Sequence, residues 1–467
     1  MSTEPTASIL YDLTVMKGGQ EGFIVPRCIV KFRPHNYWAG EYGFDWLRKG
    51  DTNRDKGDNW FKETVGKHYI PNPRNPRKTI VQPNTNIYDG DFVRDPEMYG
   101  KLEQSYKYFE IAWENHSNGS PVLYPIPMLT MMEGQTVNLK LKLEVDQPPK
   151  ELIFKFKDEQ GSQYFSLKND KLTNVRPGKY VDNDSFEITC NKAFDKEQTL
   201  LVFADKLHCG AIKLHPNTEK YQKEIEVIFV RVETKLNDSL DRTIGEPSNF
   251  ELVKTKLTNT LKQALIKANV HYDKDISVSG IAEHYKKDFT VEKQIRTPNG
   301  IQNNYCYFEH GKKNRAKYDI LTSIKRRYEL TKIYDKYRTD EFTGRKSKYT
   351  KSGMKDIYTI FFLNELCVLP GEPELPRMLV GGYSPSLKAN EVICFSGGKH
   401  EETVIHELLH ALGLAHTFDG ESREAKYTYK GTSTDNLMDY SHLVGIEKKS
   451  LFFWQWKRLN NKINYEK

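Results

Sequence analysis

The sequence predicts a multidomain α+β protein: an aromatic-rich N-terminal module over 1–125, a β-sandwich over 126–240 and an α/β domain over 241–467. Three observations predict it. The chain has 467 residues, too many for one compact core. Between 126 and 240, apolar and polar residues alternate in short runs parted by Pro, Gly and Asn. Beyond Ser248 the apolar period lengthens to that of a helix, and strand and helix signals then follow one another.

The N-terminal module is polar and rich in Tyr, Trp, Asn and Gly, and 12% aromatic content over the whole chain argues against disorder. FIVPRCIVKF (23–32) reads as a strand and KLEQSYKYFEIAWENH (101–116) as a helix. DTNRDKGD (51–58) offers oxygen ligands at Asp51, Asn53 and Asp55, like the start of a calcium loop. Its glycine, Gly57, comes one residue late and no suitably placed glutamate follows, so a polar turn is expected there rather than bound Ca2+. In the next segment Val137, Leu139, Leu141, Leu143 and Val145 alternate with polar residues, as do Leu152, Phe154 and Phe156. SFEITC, TLLVFAD, GAIKLH and EIEVIFVRVE continue the pattern, which suits an antiparallel, immunoglobulin-like sandwich. LNDSLDRTIGEP (236–247) reads as a linker. A helix is expected next, with Ser248 and Glu251 at capping-box spacing and Phe250, Val253, Leu257, Leu261, Leu265 and Ala268 on one face. IYTIFFL (357–363) is a strand candidate.

Charge and cysteine usage exclude several classes. The 70 Lys and Arg exceed the 63 Asp and Glu by seven, but residues 312–351 alone hold 14 of the former and 5 of the latter. That stretch carries a surplus of nine, so the rest of the chain sums to two negative charges. No nucleic-acid partner is expected, and the basic stretch reads as the solvated face of an amphipathic helix. No apolar run approaches 18 residues, so no membrane span is expected. The opening MSTEPTASILYDLTV has neither a basic n-region nor an apolar core, which predicts synthesis in the cytoplasm without a signal peptide. Six scattered cysteines without a Cys-x-x-Cys pair exclude a thiolate zinc knuckle and a dense disulfide scaffold. Pairing of Cys190 with Cys209 stays open.

The chemistry concentrates in EETVIHELLHALGLAHTFD (401–419). On a helix, His406 and His410 lie one turn apart on one face, a ready pair of imidazole ligands for zinc. Glu407 stands beside the first, where a carboxylate can reach a water without binding the metal. Gly413 can take the left-handed conformation that ends a helix, letting the chain return His416 as a third ligand. Three histidines leave the fourth position open, the mark of a catalytic site. Chance alone yields His-Glu-x-x-His in roughly one such chain in 40, and the extension through Gly413 and His416 in about one in 20,000. The long form is therefore specific.

HELLHALGLAHTF followed by NLMDY resembles the metzincin clan of zinc endopeptidases, and within it the pappalysin/cytophagalysin family. The resemblance implies a metzincin-like catalytic domain with one Zn2+ held by His406, His410 and His416, and Glu407 as general base. It implies that Met438 forms a turn beneath the ligands and that Tyr440 donates to the tetrahedral oxyanion. MLVGGYSPS (378–386) resembles the edge strand of the metzincin cleft, able to hold an extended protein or peptide substrate by strand addition. NEVICFSGG (390–398) resembles the strand leading into the active helix, and LFFWQWKRLNNKI the closing helix, with Phe453, Trp456 and Leu459 as core candidates. The cysteine that the family often carries after the third histidine is missing from FDGESREAKY, which speaks against extracellular disulfide maturation. Asp419 is a candidate for orienting a ligand imidazole, against a turn or cap role, and His442 for lining the substrate pocket, against a surface histidine. VPRC (25–28) is similar to a cysteine switch, but Ile29 replaces the expected glycine, so Cys28 is expected to be a buried strand residue.

FRPHNYWAGEYGFDWLRKGD (32–51) resembles opening segments of Bacteroidetes proteins associated with type VI secretion. That implies an effector exported through a contractile secretion system, with the N-terminal module docking on the apparatus. Two rivals remain beside the endopeptidase: a non-enzymatic adaptor of such a system, and a hydrolase of peptidoglycan cross-links.

Overall fold

The computed structural model describes residues 25–51, 57–69, 92–234, 243–272, 275–277, 290–297, 300–309, 357–364, 366–368, 379–384, 386–419 and 425–463. The basic stretch 312–351, Asn53, Asp55 and most of the expected linker lie outside them. The protein is strand-rich and multi-sheeted, and its contacts form two compact units. One holds the described residues up to Gln222, Lys262–Leu265, and those from Thr417 onward; the other holds 223–261 and 266–416.

In the first unit, alternation of period two builds two sheets around one core. Arg27–Pro34, Thr136–Gln147, Gly178–Cys190 and Phe165–Leu167 form one sheet in that order. Lys171–Thr173, Glu151–Phe156, Gln198–Ala204, Leu207–Leu214, Met128–Thr130 and Gly43–Asp45 form the other. Val137, Leu139, Leu141 and Val145 of the first sheet and Leu152, Phe154, Leu200 and Val202 of the second point into the same buried cluster. Two sheets face one core, as the alternation predicts, but Leu207–Leu214 runs parallel to Met128–Thr130, so the second sheet is mixed.

The strand pairing crosses the boundary expected at 125/126. Arg27–Pro34 pairs antiparallel with Thr136–Gln147 along its whole length, and Gly43–Asp45 pairs with Met128–Thr130. Trp38, Tyr42, Phe44 and Trp46 belong to the sandwich core, so these aromatics of the 32–51 segment are enclosed. The segment after the third histidine also lies in this unit: Thr428–Tyr429 pairs with Val65–Gly66. Buried Arg48 bridges Asp45 and Asp435, and Asp45 also accepts from the Tyr106 hydroxyl and the Phe453 N–H. The closing helix forms at Phe453–Leu459 with Phe453, Trp456 and Leu459 buried, as its sequence predicts.

The expected helix over 101–116 is instead two elements. Asp95 caps a helix at Pro96–Glu103 through the N–H groups of Glu97 and Met98, with proline at the first position. Tyr108–Asn115 is a strand paired with Pro121–Pro125, and its alternate residues Phe109 and Ile111 are buried. Calcium at Asp51 meets an opposing charge pattern, since its carboxylate lies between Arg33 at 2.8 Å, Lys31 at 3.5 Å and Lys142 at 3.9 Å.

The second unit is built on a mixed sheet. Lys223–Thr234, expected as the last sandwich strand, is its central member, so this unit begins ahead of the boundary expected at 240/241. Ile266–Tyr272 and Ile357–Phe362 both pair with it in parallel, and Glu391–Cys394 extends the sheet in parallel beyond Ile357–Phe362. Parallel strands are covered on both faces, so they read as unbroken apolar runs: Val227 through Val230 are all buried. Gly382–Tyr383 closes this side of the sheet, antiparallel to Glu391–Cys394. The helix Phe250–Lys262 connects two of the parallel strands, and its cap is Asn249 rather than Ser248, its Oδ1 accepting from the Leu252 N–H at 3.1 Å. It buries Val253, Leu257 and Leu261 but stops before Leu265, which takes φ 52°, and Ala268 lies in the next strand.

Candidate metal centre

The helix Glu401–Ala411 carries the motif. Glu401 and Glu402 occupy its first turn, where carboxylates suit the positive end of the helix dipole. Lys256 bonds Glu401 at 2.8 Å and holds its carboxyl below the ordinary range. Val404, Ile405, Leu408 and Leu409 are buried, and the helix packs on Glu391–Cys394 and Ile357–Phe362. Its period of 3.6 then sets His406, Glu407 and His410 on a different side from Leu408 and Leu409.

The helix ends in a Schellman motif. The Gly413 N–H donates to the His410 carbonyl and the Leu414 N–H to that of Leu409, both at 2.9 Å. Gly413 has φ +107°, which an L side chain rarely adopts, and a Cβ there would stand 3.1 Å from Lys388 Cγ. Lys388 in turn donates its backbone N–H to the His410 carbonyl at 3.2 Å. The chain reverses here and brings His416 back to the helix.

Nε2 of His416 lies 3.2 Å from Nε2 of His406 and 3.1 Å from Nε2 of His410. Each residue offers a ligand nitrogen, and all three lie within 4.8 Å of one another. Imidazoles bound to one tetrahedral zinc at their usual bond lengths hold their nitrogens about 3.3–3.4 Å apart, so the set fits the ion. His410 Nδ1 is 2.6 Å from the Leu414 carbonyl oxygen. A carbonyl only accepts, so Nδ1 carries the proton and Nε2 presents its lone pair to the centre.

Glu407 is half-buried, one residue beyond His406. The edge strand lies directly on it: a Cβ on Gly382 would stand 2.6 Å from Glu407 Cγ and 2.8 Å from Thr403 Cγ2. Gly398 makes the same demand beside it, because a Cβ there would lie 2.2 Å from the Gly381 carbonyl oxygen. Cys394, on the strand paired with Gly382, is fully buried; burial and the Glu407 charge both push its thiol up. The two Gly-Gly pairs, 381–382 and 397–398, were the available signal for this close approach, and sequence reasoning did not single them out.

The other candidates belong to the first unit. Met438 is fully buried in a tight turn. Its N–H donates to Asn436 Oδ1 at 2.9 Å, and its carbonyl accepts from Thr417, the residue after His416, at 3.1 Å. Asn436 is gripped by Gln455 of the closing helix at 2.7 Å. Asp439 accepts from the Thr432, Thr434 and Tyr440 backbones and the Thr434 hydroxyl, while burial pushes its carboxyl up. The Tyr440 ring packs on Phe418 at 5.0 Å between centroids. Asp419 is half-buried, its carbonyl accepting from the Thr428 hydroxyl, and His442 is exposed on the short turn Ser441–Val444.

No protein-family model matches this chain, and no curated protein matches it in sequence. Among the described residues no helix is long and apolar enough to cross a membrane.

Proposed function

We propose that this chain is a zinc-dependent endopeptidase hydrolysing peptide bonds. The observation that carries the reading is the convergence of the His406, His410 and His416 nitrogens, with Glu407 on the same helix. The edge strand closing a mixed sheet beside that helix supports it too, as does the likeness of HELLHALGLAHTF and NLMDY to metzincins. Zinc, when bound by the three histidines, supplies a Lewis acid that lowers the pKa of water and polarises a carbonyl oxygen. Glu407 takes the proton of the attacking water and returns it to the leaving amine nitrogen. Leu414 holds the His410 ring in the tautomer that ligation needs, and the Gly382 backbone confines the Glu407 stem. Delivery through a contractile secretion system is the proposed setting, supported by the likeness of residues 32–51.

The test is metal content by elemental analysis with cleavage assays on a denatured protein mixture and on purified peptidoglycan, wild type against Glu407→Gln. About one zinc per chain and protein cleavage lost in the variant is the expected result. Cleavage of peptidoglycan alone would move the reaction to cross-link hydrolysis. Neither zinc nor cleavage would overturn the enzyme reading in favour of the adaptor.

A further inference from the structure

We propose that Cys28 and Cys209 form an oxidisable thiol pair that closes a disulfide between the two sheets of the sandwich when a disulfide oxidant of the glutathione class is present. Cys28 lies on Arg27–Pro34 in the first sheet and Cys209 on Leu207–Leu214 in the second. Both are 0% exposed in the same core, and burial together with the neighbouring Cys28 thiol pushes the Cys209 thiol up.

The backbone brings them together. A Cβ on Gly210 would lie 2.5 Å from the Val30 carbonyl oxygen and 3.1 Å from Val30 Cβ, so the missing side chain at Gly210 lets the two strands touch beside the pair. The register along Leu207–Leu214 runs Val202 with Gly210 and then Phe203 with His208, which leaves Cys209 as the extra residue of a bulge. A second register shift adjoins Cys28, between Arg27 opposite Gln147 and Cys28 opposite Val145. Bulges re-aim side chains, and here one turns Cys209 inward to meet Cys28. The partner that the sequence left open is engaged elsewhere: the Cys190 thiol donates to the Lys192 carbonyl at 3.4 Å and accepts from Asn217 Nδ2 at 3.3 Å.

The chemistry balances with oxidised glutathione. One cysteine thiolate attacks the glutathione disulfide and releases a glutathione thiolate. The other attacks the mixed disulfide, forms the Cys28–Cys209 bond and releases the second. The two protein thiols lose two electrons and two protons, and one glutathione disulfide becomes two thiols. Burial pushes the Cys209 thiol up, so exchange belongs to folding or local opening rather than to the closed core.

The experiment refolds the full chain with reduced and oxidised glutathione, alkylates it in denaturant and maps the unreduced peptides by mass spectrometry. A Cys28–Cys209 cross-linked peptide, two of the six thiols protected and a higher denaturant midpoint for the oxidised chain are expected. Cys190→Ser keeps the link, whereas Cys28→Ser and Cys209→Ser each lose it; should either serine variant fail to fold, the wild-type map still decides. Six alkylated thiols after oxidative refolding, or a link from either cysteine to a different partner, would overturn the proposal. The readout is linkage, so it stands or falls separately from the peptidase reading.

Discussion

Gly382 and Glu407 approach so closely that a Cβ on the glycine would stand 2.6 Å from Cγ of the glutamate. The edge strand therefore forms a wall against the proposed base. Gly382→Ala pushes the Glu407 carboxylate aside without touching a histidine. On the peptidase reading, kcat falls by roughly 10–100-fold while zinc content stays at the parent level. Steady-state kinetics beside metal analysis check this; parental kcat with full zinc would show that the strand yields instead.

Gly413 serves both the helix end and the return of His416 to the other two histidines. Gly413→Ala forces a side chain onto φ +107° and against Lys388 Cγ at 3.1 Å. A cost of about 1–2 kcal/mol is expected from the backbone alone. On the zinc reading, zinc affinity falls as well, because the same turn returns His416 to the helix. Thermal unfolding and competitive zinc titration measure the two effects, and a variant that binds zinc like the parent would detach the turn from the ligand.

Asp51 makes the acid limb of stability testable. Burial opposes its charge, but Arg33, with Lys142 and Lys31, overrides this and lowers the carboxyl from 3.8 to about 2. A carboxyl depressed in the folded state adds stability that is present above its unfolded pKa and lost as pH falls through the folded one. The loss therefore runs from about pH 4 to pH 2 and amounts to about 2 kcal/mol. Asp51→Asn should flatten that part of the curve in denaturation series across pH, and an unchanged slope would sink the assignment.

Arg48 holds early and late sequence together within one unit. Its guanidinium lies 3.8 Å from the Trp46 ring centroid, bonds Asp45, and reaches Asp435 at 3.3 Å. Arg48→Met leaves two buried carboxylates without their cation. A loss of about 3–5 kcal/mol is expected in chemical denaturation. A loss under about 1 kcal/mol would mean that Asp45 and Asp435 do not depend on this charge.

Local pattern carries what one stretch of chain decides alone. The 3.6-residue period and a terminal glycine were enough to bring His406, His410 and His416 together on paper, and their nitrogens do converge. A period of two was enough to read the alternating strands of the sandwich and their buried faces. The choice of strand partner depends on residues far away, and no local signal holds it. Lys223–Thr234 read as one more sandwich strand, yet it is covered on both faces at the centre of the other unit. Tyr108–Asn115 read as helix because local propensity was weak and its pairing with Pro121–Pro125 was invisible. Asp51 read as part of a polar turn because the cations that claim it come from distant strands, as far along as Lys142. The sequence by itself determined the histidine set and the alternating faces. Only the tertiary structure decided that residues 27–51 and 425–463 share a unit, that Gly382 lies on Glu407 and that Cys28 meets Cys209. Those outcomes rest on backbone approach between distant segments, which the solvent-facing and core-facing periods of a single segment do not encode.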